Sequence, residues 1–189
     1  NYKGRVQVFR YKDVDDNWGL LGSELVGAVG DGIVSSVSLS ADGMTVAVGA
    51  PFHGKTAGVN SFNGRVRVFR YKDVDKNWGL LGTQALLVGA AGEQAGSSVS
   101  LSADGKTVAI GAPYYGDGTN FNGRMRVFSY NIVRGWTQIG GDLEGDARDV
   151  AGYSVSLSAD GRTVAVGAPT SDAKPGPGPG PGRVQVFEL

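Results

Sequence analysis

Alternation of polar and apolar residues is the most regular feature of the chain. The segment Ser-Val-Ser-Leu-Ser occurs three times, from Ser36, Ser98 and Ser154, and it has the period of two that β-strands show. Each copy is soon followed by Thr-Val-Ala-Val/Ile-Gly-Ala and later by Gly-Arg-Val/Met-x-Val-Phe, both rich in residues that favour strands. No segment of ten residues shows a helical period. The pattern therefore predicts an all-β, antiparallel protein.

These strands belong to an internal repeat of about 60 residues, and repetition at a fixed period is the signature of a repeat architecture. Each unit is predicted to contain four strands: one around the tryptophan, the Ser-Val-Ser-Leu-Ser strand, the Thr-Val-Ala strand and the Arg-Val strand. We predict one array with an extra outer strand and turn at 1–16, followed by repeats at 17–76, 77–134 and 135–189.

Turn and strand-end residues recur at fixed places in each unit. Ala-Asp-Gly separates the second and third strands, and it suits a tight hairpin with glycine at positive φ. Proline closes each Gly-Ala-Pro triplet, and the tryptophans are expected to anchor the core. The predicted structural anchors are Trp18, Trp78, Trp136, Asp42, Gly43, Asp104, Gly105, Asp160, Gly161, Pro51, Pro113 and Pro169.

The third strand and its continuation resemble a known repeat. Val-Ala-Val/Ile-Gly-Ala-Pro at Val46–Pro51, Val108–Pro113 and Val164–Pro169, each followed by a variable loop and Gly-Arg-Val/Met-x-Val-Phe, is similar to the FG-GAP repeat. The resemblance implies four-stranded blades of an integrin-alpha-type β-propeller. Where that family has an aspartate-rich calcium loop, each unit here has Ser-Ala-Asp-Gly with a single acidic residue. Calcium needs six to eight oxygens, so no calcium site is carried over to these turns.

The resemblance implies a non-catalytic, extracellular or cell-surface module with a structural or adhesive role. Propellers usually have four to eight blades, so three repeats predict a homo-oligomer or filament formed by strand completion, or a part of a longer array. The variable loops 52–63, 114–122 and 170–182 are expected to select a surface protein or glycan. A lectin-like propeller is the alternative, with sugars stacking on Phe52, Tyr114, Tyr115 and Phe121.

Composition narrows the chemistry further. The chain has no cysteine and one histidine, His53, so thiolate zinc sites and cysteine nucleophiles are excluded. Lys plus Arg equals Asp plus Glu at 18 each, which argues against nucleic-acid binding. No segment reaches the length of an apolar membrane span. We predict no enzyme, no catalytic residues, no bound metal and no cofactor.

Two acidic motifs remain as weaker candidates. Lys-Asp-Val-Asp-x-Asn, from Lys12 and from Lys72, has half of a calcium-loop pattern, so calcium is possible but is not favoured over a solvated turn. The loop after Gly141 contains four carboxylates, Asp142, Glu144, Asp146 and Asp149. Paired carboxylates can hydrolyse glycosidic bonds, and a propeller hydrolase using this loop is the least favoured alternative.

Overall fold

The computed structural model describes residues 4–27, 34–54, 62–83, 87–118, 120–170 and 181–189. These residues form an all-β structure of antiparallel sheets, as predicted. In the described ranges, no helix has the length and apolarity needed to cross a membrane. Most of the variable loop 52–63 and most of the Pro-Gly segment in loop 170–182 lie outside the described residues.

The described residues contain fifteen strands. They are β1 (Arg5–Val6), β2 (Phe9–Lys12), β3 (Asn17–Leu20), β4 (Leu25–Val26), β5 (Ser36–Leu39), β6 (Thr45–Ala50), β7 (Arg65–Lys72), β8 (Asn77–Leu80), β9 (Ser98–Leu101), β10 (Thr107–Ala112), β11 (Arg124–Asn131), β12 (Gly135–Glu144), β13 (Ser154–Leu157), β14 (Thr163–Ala168) and β15 (Arg183–Glu188).

The strands form three sheets and an N-terminal hairpin. Sheet one has the order β5-β6-β7-β8, sheet two has the order β9-β10-β11-β12, and sheet three has β13-β14-β15. In the N-terminal hairpin β1 pairs with β4 and β2 pairs with β3. Each tryptophan strand pairs with the Arg-Val strand that precedes it along the chain. The sheets are therefore offset by one strand from the predicted units, which placed the tryptophan strand first.

The Ala-Asp-Gly turns join the first two strands of each sheet. In sheet two the Asp104 carboxylate accepts hydrogen bonds from the Ser102 hydroxyl at 2.7 Å and from the Lys106 amide at 2.9 Å. Gly105 has a φ of 69°, a left-handed conformation that suits glycine. The turns of sheets one and three have the same hydrogen bonds.

Serine hydroxyls connect the first strands of successive sheets, which are β5, β9 and β13. Ser38 Oγ accepts a hydrogen bond from the Leu101 amide, and Ser100 Oγ accepts one from the Leu157 amide, both at 2.9 Å. The Ser36 hydroxyl donates to the Gly96 carbonyl just before β9, and the Ser98 hydroxyl donates to the Gly152 carbonyl just before β13, both at 2.8 Å. The alternating serines therefore fix how one sheet sits against the next.

The glycine of the Gly-Ala-Pro triplet lies where the backbone of the next repeat approaches closely. A Cβ added at Gly111 would lie 2.0 Å from the carbonyl oxygen of Gly152, and one added at Gly49 would lie 2.1 Å from that of Gly96. No side chain fits at this separation, so the motif requires glycine for packing between repeats.

Substitution of Gly111 tests this contact. We expect Gly111→Ala to lower the free energy of unfolding by about 1–3 kcal/mol, because the added methyl group must push two backbones apart. Gly141→Ala is the matched control, since nothing lies within 4 Å of a Cβ at that position. Urea unfolding of both variants measures the difference, and equal stability of the two would contradict the packing role.

Apolar side chains fill the junctions between sheets. Ala47, Val66 and Val68 of sheet one pack against a larger group from sheet two that includes Phe128 and Trp136. A second cluster joins sheets two and three, and a third joins the N-terminal hairpin to sheet one.

The three tryptophans differ in burial. Trp136 is 2 % exposed, whereas Trp18 is 64 % exposed. The indole N–H of Trp136 donates to the Leu81 carbonyl of the preceding repeat at 2.8 Å, and that of Trp78 donates to the Leu21 carbonyl at 2.7 Å. Trp18 packs edge-on against Tyr11. The prediction that Trp18 anchors the core is therefore wrong, because no described segment covers it as the preceding repeats cover the other two.

Candidate charged site on sheet two

One edge of sheet two carries a group of charged side chains that form ion pairs with one another. This edge is formed by the ends of the four strands and not by an outer strand. β9 begins there, β10 ends there, β11 begins there at Arg124 and β12 ends there at Glu144. We call it the upper edge; the Ala-Asp-Gly turn lies at the opposite edge. The loop Pro113–Gly123 and the segment 87–97 meet at the upper edge, so side chains from separate parts of the sequence converge.

Arg124 is the centre of a group of charged side chains that we call the Arg124 cluster: Glu93, Arg124, Arg126 and Asp142. The Arg124 guanidinium forms ion pairs with Glu93 through Nη2 and with Asp142 through Nη1, the latter at 2.6 Å. Nη2 of Arg126 lies 3.5 Å from Oε2 of Glu93. Asp142 also accepts a hydrogen bond from the Gln138 side chain at 2.7 Å.

Three members of the cluster, Glu93, Arg124 and Arg126, are largely removed from water. The side chain of Glu93 is 4 % exposed, and that of Arg124 is 12 % exposed. Burial alone would lower the pKa of Arg124, but the hydrogen bond and charge of Glu93 more than offset it, and the pKa is raised. Burial, together with the nearby charge of Arg124, lowers the pKa of Arg126. Charges buried in this way are stable only when paired.

Tyr115 and Glu144 lie beside the Arg124 cluster. The Arg124 guanidinium lies 4.3 Å from the centroid of the Tyr115 ring, a distance at which a cation is attracted to an aromatic face. A hydrogen bond from the Tyr115 hydroxyl to Glu144, with the charge of that carboxylate, raises the pKa of Tyr115. An open cleft, which we call the Glu144 cleft, is lined by Tyr115, Gly116, Asp117, Asn122 and Glu144.

Sheet three has a related ion pair. Arg183 Nη2 contacts the buried carboxylate of Asp149 and lies 2.9 Å from Asp146. Arg183 and Asp149 are the counterparts of Arg124 and Glu93 in the repeat. Sequence reasoning singled out neither Glu93 nor Arg124. The signal was present, because Asp31, Glu93 and Asp149 each lie five residues before a Ser-Val-Ser-Leu strand.

The acidic loop after Gly141 is divided between these two sites. Asp142 belongs to the Arg124 cluster, Glu144 lines the cleft, and Asp146 and Asp149 contact Arg183. The loop is therefore only partly solvated, because Asp149 is 2 % exposed.

The aromatic residues predicted to bind sugars pack in pairs or under a cation. Phe52 contacts Phe62 and Tyr114 contacts Phe121, with ring centroids 5.3 and 5.4 Å apart and nearly perpendicular planes. Tyr115 is covered by Arg124. Among the described residues, no ring contact joins the Phe52 pair to the Tyr114 pair. These aromatic residues therefore do not form one larger surface on which a sugar could stack.

The half-formed calcium loops are used in backbone contacts. Asn17 and Asn77 each accept a hydrogen bond from the amide of the tryptophan that follows, at 2.8 Å. Asn77 also accepts from the amide and the hydroxyl of Ser23. Within the ranges that the structure describes, no three or more acidic, histidine or cysteine side chains are arranged to hold a metal ion.

The aspartates of the Ala-Asp-Gly turns have lowered pKa values. For Asp42 and Asp160 the hydroxyl of the serine two residues earlier is the largest cause. For Asp104 burial opposes the shift, and the Ser102 hydroxyl and the Lys106 amide outweigh it. These carboxylates stabilise turns at the edge opposite to the Arg124 cluster.

Comparison with solved structures identifies the architecture. The chain is similar to the periplasmic gluconolactonase of Pseudomonas aeruginosa, with a TM-score of 0.50 and 19 % identity, over 86 % of this chain and 42 % of that one. The fold is β-propeller-like. The described sheets do not close into a ring, and the chain spans less than half of that protein's length.

Two further likenesses are weaker. One is to the tricorn protease, with a TM-score of 0.43, 8 % identity and coverage of 88 % of this chain and 17 % of that one. The other is to a putative 6-phosphogluconolactonase of Bacteroides uniformis, with a TM-score of 0.40, 11 % identity and coverage of 97 % and 60 %. No protein-family model matches the sequence, and no curated protein matches it.

The first of these comparisons corrects the predicted function. The solved structure whose fold the chain shares is named as a gluconolactonase and not as an adhesion module, which contradicts the prediction of a non-catalytic structural or adhesive protein and the prediction of no enzyme. The hydrolase alternative, ranked last from sequence, fits this neighbour better. The resemblance to the FG-GAP repeat stays a prediction.

Proposed function

We propose that the chain is part of an exported propeller hydrolase that opens cyclic esters, with the Glu144 cleft as its site. The observation that carries the proposal is the arrangement of Glu144 and Tyr115 beside the buried Arg124 cluster. A carboxylate at the rim of a cleft can act as the general base in ester hydrolysis by water, and a hydrogen-bond donor in the same cleft can stabilise the negative charge that develops. The likeness to a gluconolactonase named as periplasmic supports the class and the export.

Each group has a role in the proposed reaction. The Glu144 carboxylate takes a proton from a water molecule, whose oxygen forms a bond to the ester carbonyl carbon. The Asn122 amide, which also lines the cleft, stabilises the negative charge that develops on the carbonyl oxygen. The ring C–O bond then breaks, the ring oxygen takes the proton from Glu144, and a hydroxy acid leaves.

The residues that contact Arg124 act on this site by positioning. Glu93 and Asp142 hold the Arg124 guanidinium on two sides, and Arg124 holds the Tyr115 ring. Tyr115 in turn donates its hydroxyl hydrogen to Glu144.

We also propose that the three sheets are propeller blades, and that sheet three and the N-terminal hairpin are parts of incomplete blades.

Replacement of Glu144 tests the proposal. We expect Glu144→Gln to lower kcat for D-glucono-δ-lactone by about 10²–10⁴-fold, the usual contribution of a general base. Glu188→Gln is the matched control, because Glu188 is exposed at the end of β15. Acid release at constant pH measures both rates. Equal rates for the two variants would contradict a role for Glu144.

A further inference from the structure

We propose that the Glu144 cleft accepts cyclic esters without a negative charge, and that Asp117 excludes those with a phosphate or carboxylate group. This inference rests on the proposed function and specifies its substrate class. Asp117 and Glu144 both line the cleft, and none of the described lining residues is lysine or arginine. An anion that enters is therefore opposed by two negative charges.

Neither the Arg124 cluster nor Arg148 cancels this charge. Within the cluster, two guanidinium groups face two carboxylates, so the cluster adds no net charge. Arg148 approaches from the segment before β13, where its Nε donates to the Asn120 side chain at 3.1 Å. When Arg148 is counted against Asp117 and Glu144, the cleft still has a net negative charge.

The loop that carries Asp117 folds back on itself beside the cleft. Gly116 forms an antiparallel bridge with Phe121 across this loop. The Asn120 amide donates to Oδ1 of Asp117 at 2.7 Å. The Asp117 carboxylate is therefore held in one orientation by the backbone of its own loop.

The repeat does not require acidic residues at these two positions. In the preceding repeat Lys55 has the position of Asp117, and Val88 has the position of Glu144. Val88 pairs with the first arginine of β7, as Glu144 pairs with the first arginine of β11. The two carboxylates are therefore particular to this cleft and are not part of the repeated framework.

The same two charges favour release of the product. A cyclic ester without other ionisable groups is uncharged, and its hydrolysis produces a carboxylic acid that is ionised at neutral pH. The negative charge therefore appears beside Asp117 and Glu144 only after the ring C–O bond has broken. Repulsion acts on the product and not on the substrate, so the cleft binds the hydroxy acid less tightly than the ester.

Acid release at constant pH tests the substrate class, with kcat/KM measured for D-glucono-δ-lactone and for its 6-phosphate ester. We expect the unmodified chain to prefer the uncharged lactone, and Asp117→Asn to reduce this preference by about 3–10-fold, the effect of one charge near a protein surface. The asparagine keeps an oxygen that can accept from the Asn120 amide. Asp73→Asn is the matched control, because it makes the same charge change in an exposed turn at the opposite edge, and it is expected to keep the preference.

Product inhibition provides a second measurement. We expect D-gluconate to inhibit the unmodified chain weakly, and its inhibition constant to fall by about 3–10-fold in Asp117→Asn, because one of the two repelling charges is then absent. The difference between the two proteins is expected to shrink as salt is added, since mobile ions screen the interaction. A difference of packing alone would not depend on salt in this way.

The possible results separate this inference from the proposed function. A preference that is the same in Asp117→Asn and in the unmodified chain, or that falls equally in Asp73→Asn, would overturn the role of Asp117. Equal kcat/KM for the two lactones in the unmodified chain would overturn the substrate class and leave the proposed function intact. A chain that opens neither lactone would contradict the proposed function itself, and this inference with it.

Discussion

Trp136→Ala is expected to lower the free energy of unfolding by about 3–5 kcal/mol, the usual cost of removing a buried tryptophan. The Trp136 side chain lies in the junction between sheets one and two, and its indole N–H donates to the Leu81 carbonyl. The substitution therefore leaves a cavity and removes a hydrogen bond at the same place. Urea unfolding followed by circular dichroism measures the loss.

Trp18→Ala is the matched control for this prediction. Trp18 has the same position in the repeat but is 64 % exposed, and its ring contacts Tyr11. We expect a loss of about 1 kcal/mol, the size of an aromatic pair at a surface. Similar losses for Trp18→Ala and Trp136→Ala would show that the junction between sheets is not where the tryptophans act.

Arg124→Met is expected to lower the free energy of unfolding by about 3–5 kcal/mol. The methionine cannot neutralise Glu93, whose side chain is 4 % exposed, and removing one partner of a buried pair leaves a charge without adequate compensation. Arg126, at 3.5 Å from Glu93, offsets only part of this loss. Thermal and urea unfolding of the variant measure it.

Two further variants separate burial from charge. Arg5→Met removes the counterpart of Arg124, which is 70 % exposed and lies 3.5 Å from Glu24, so a change of no more than about 1 kcal/mol is expected. Adding Glu93→Gln to Arg124→Met is expected to restore part of the stability, because the buried charge is then removed. A double variant that is less stable than Arg124→Met would contradict the ion-pair explanation.

Local patterns predicted the strands because each strand contains its own signal. The alternation in Ser36–Leu39 and the Asp-Gly pair at Asp42 and Gly43 are sufficient to indicate a strand and a hairpin. The sheet that a strand joins depends on its contacts with other strands, so it cannot be read from the strand's own residues. The strand at Trp78 follows β7 and precedes β9 along the chain, and the sequence does not state which neighbour it pairs with.

The candidate site was harder to predict for the same reason. Glu93 and Arg124 are 31 residues apart, and neither belongs to a recognised catalytic motif. Their contact arises because the segment before β9 crosses to the upper edge, where β11 begins. Burial of Trp18 likewise depends on a covering segment and not on the residue itself. Repeat alignment would have marked Glu93, because the acidic residue recurs at the same offset.

The central claim, that this chain opens cyclic esters at the Glu144 cleft, is tested most directly by the unmodified protein. The measurement is the rate of acid release from D-glucono-δ-lactone at constant pH, with and without the chain. The account predicts a rate that rises in proportion to protein concentration above the uncatalysed one and that returns to it in Glu144→Gln. A rate equal to the uncatalysed one at every protein concentration would contradict the account.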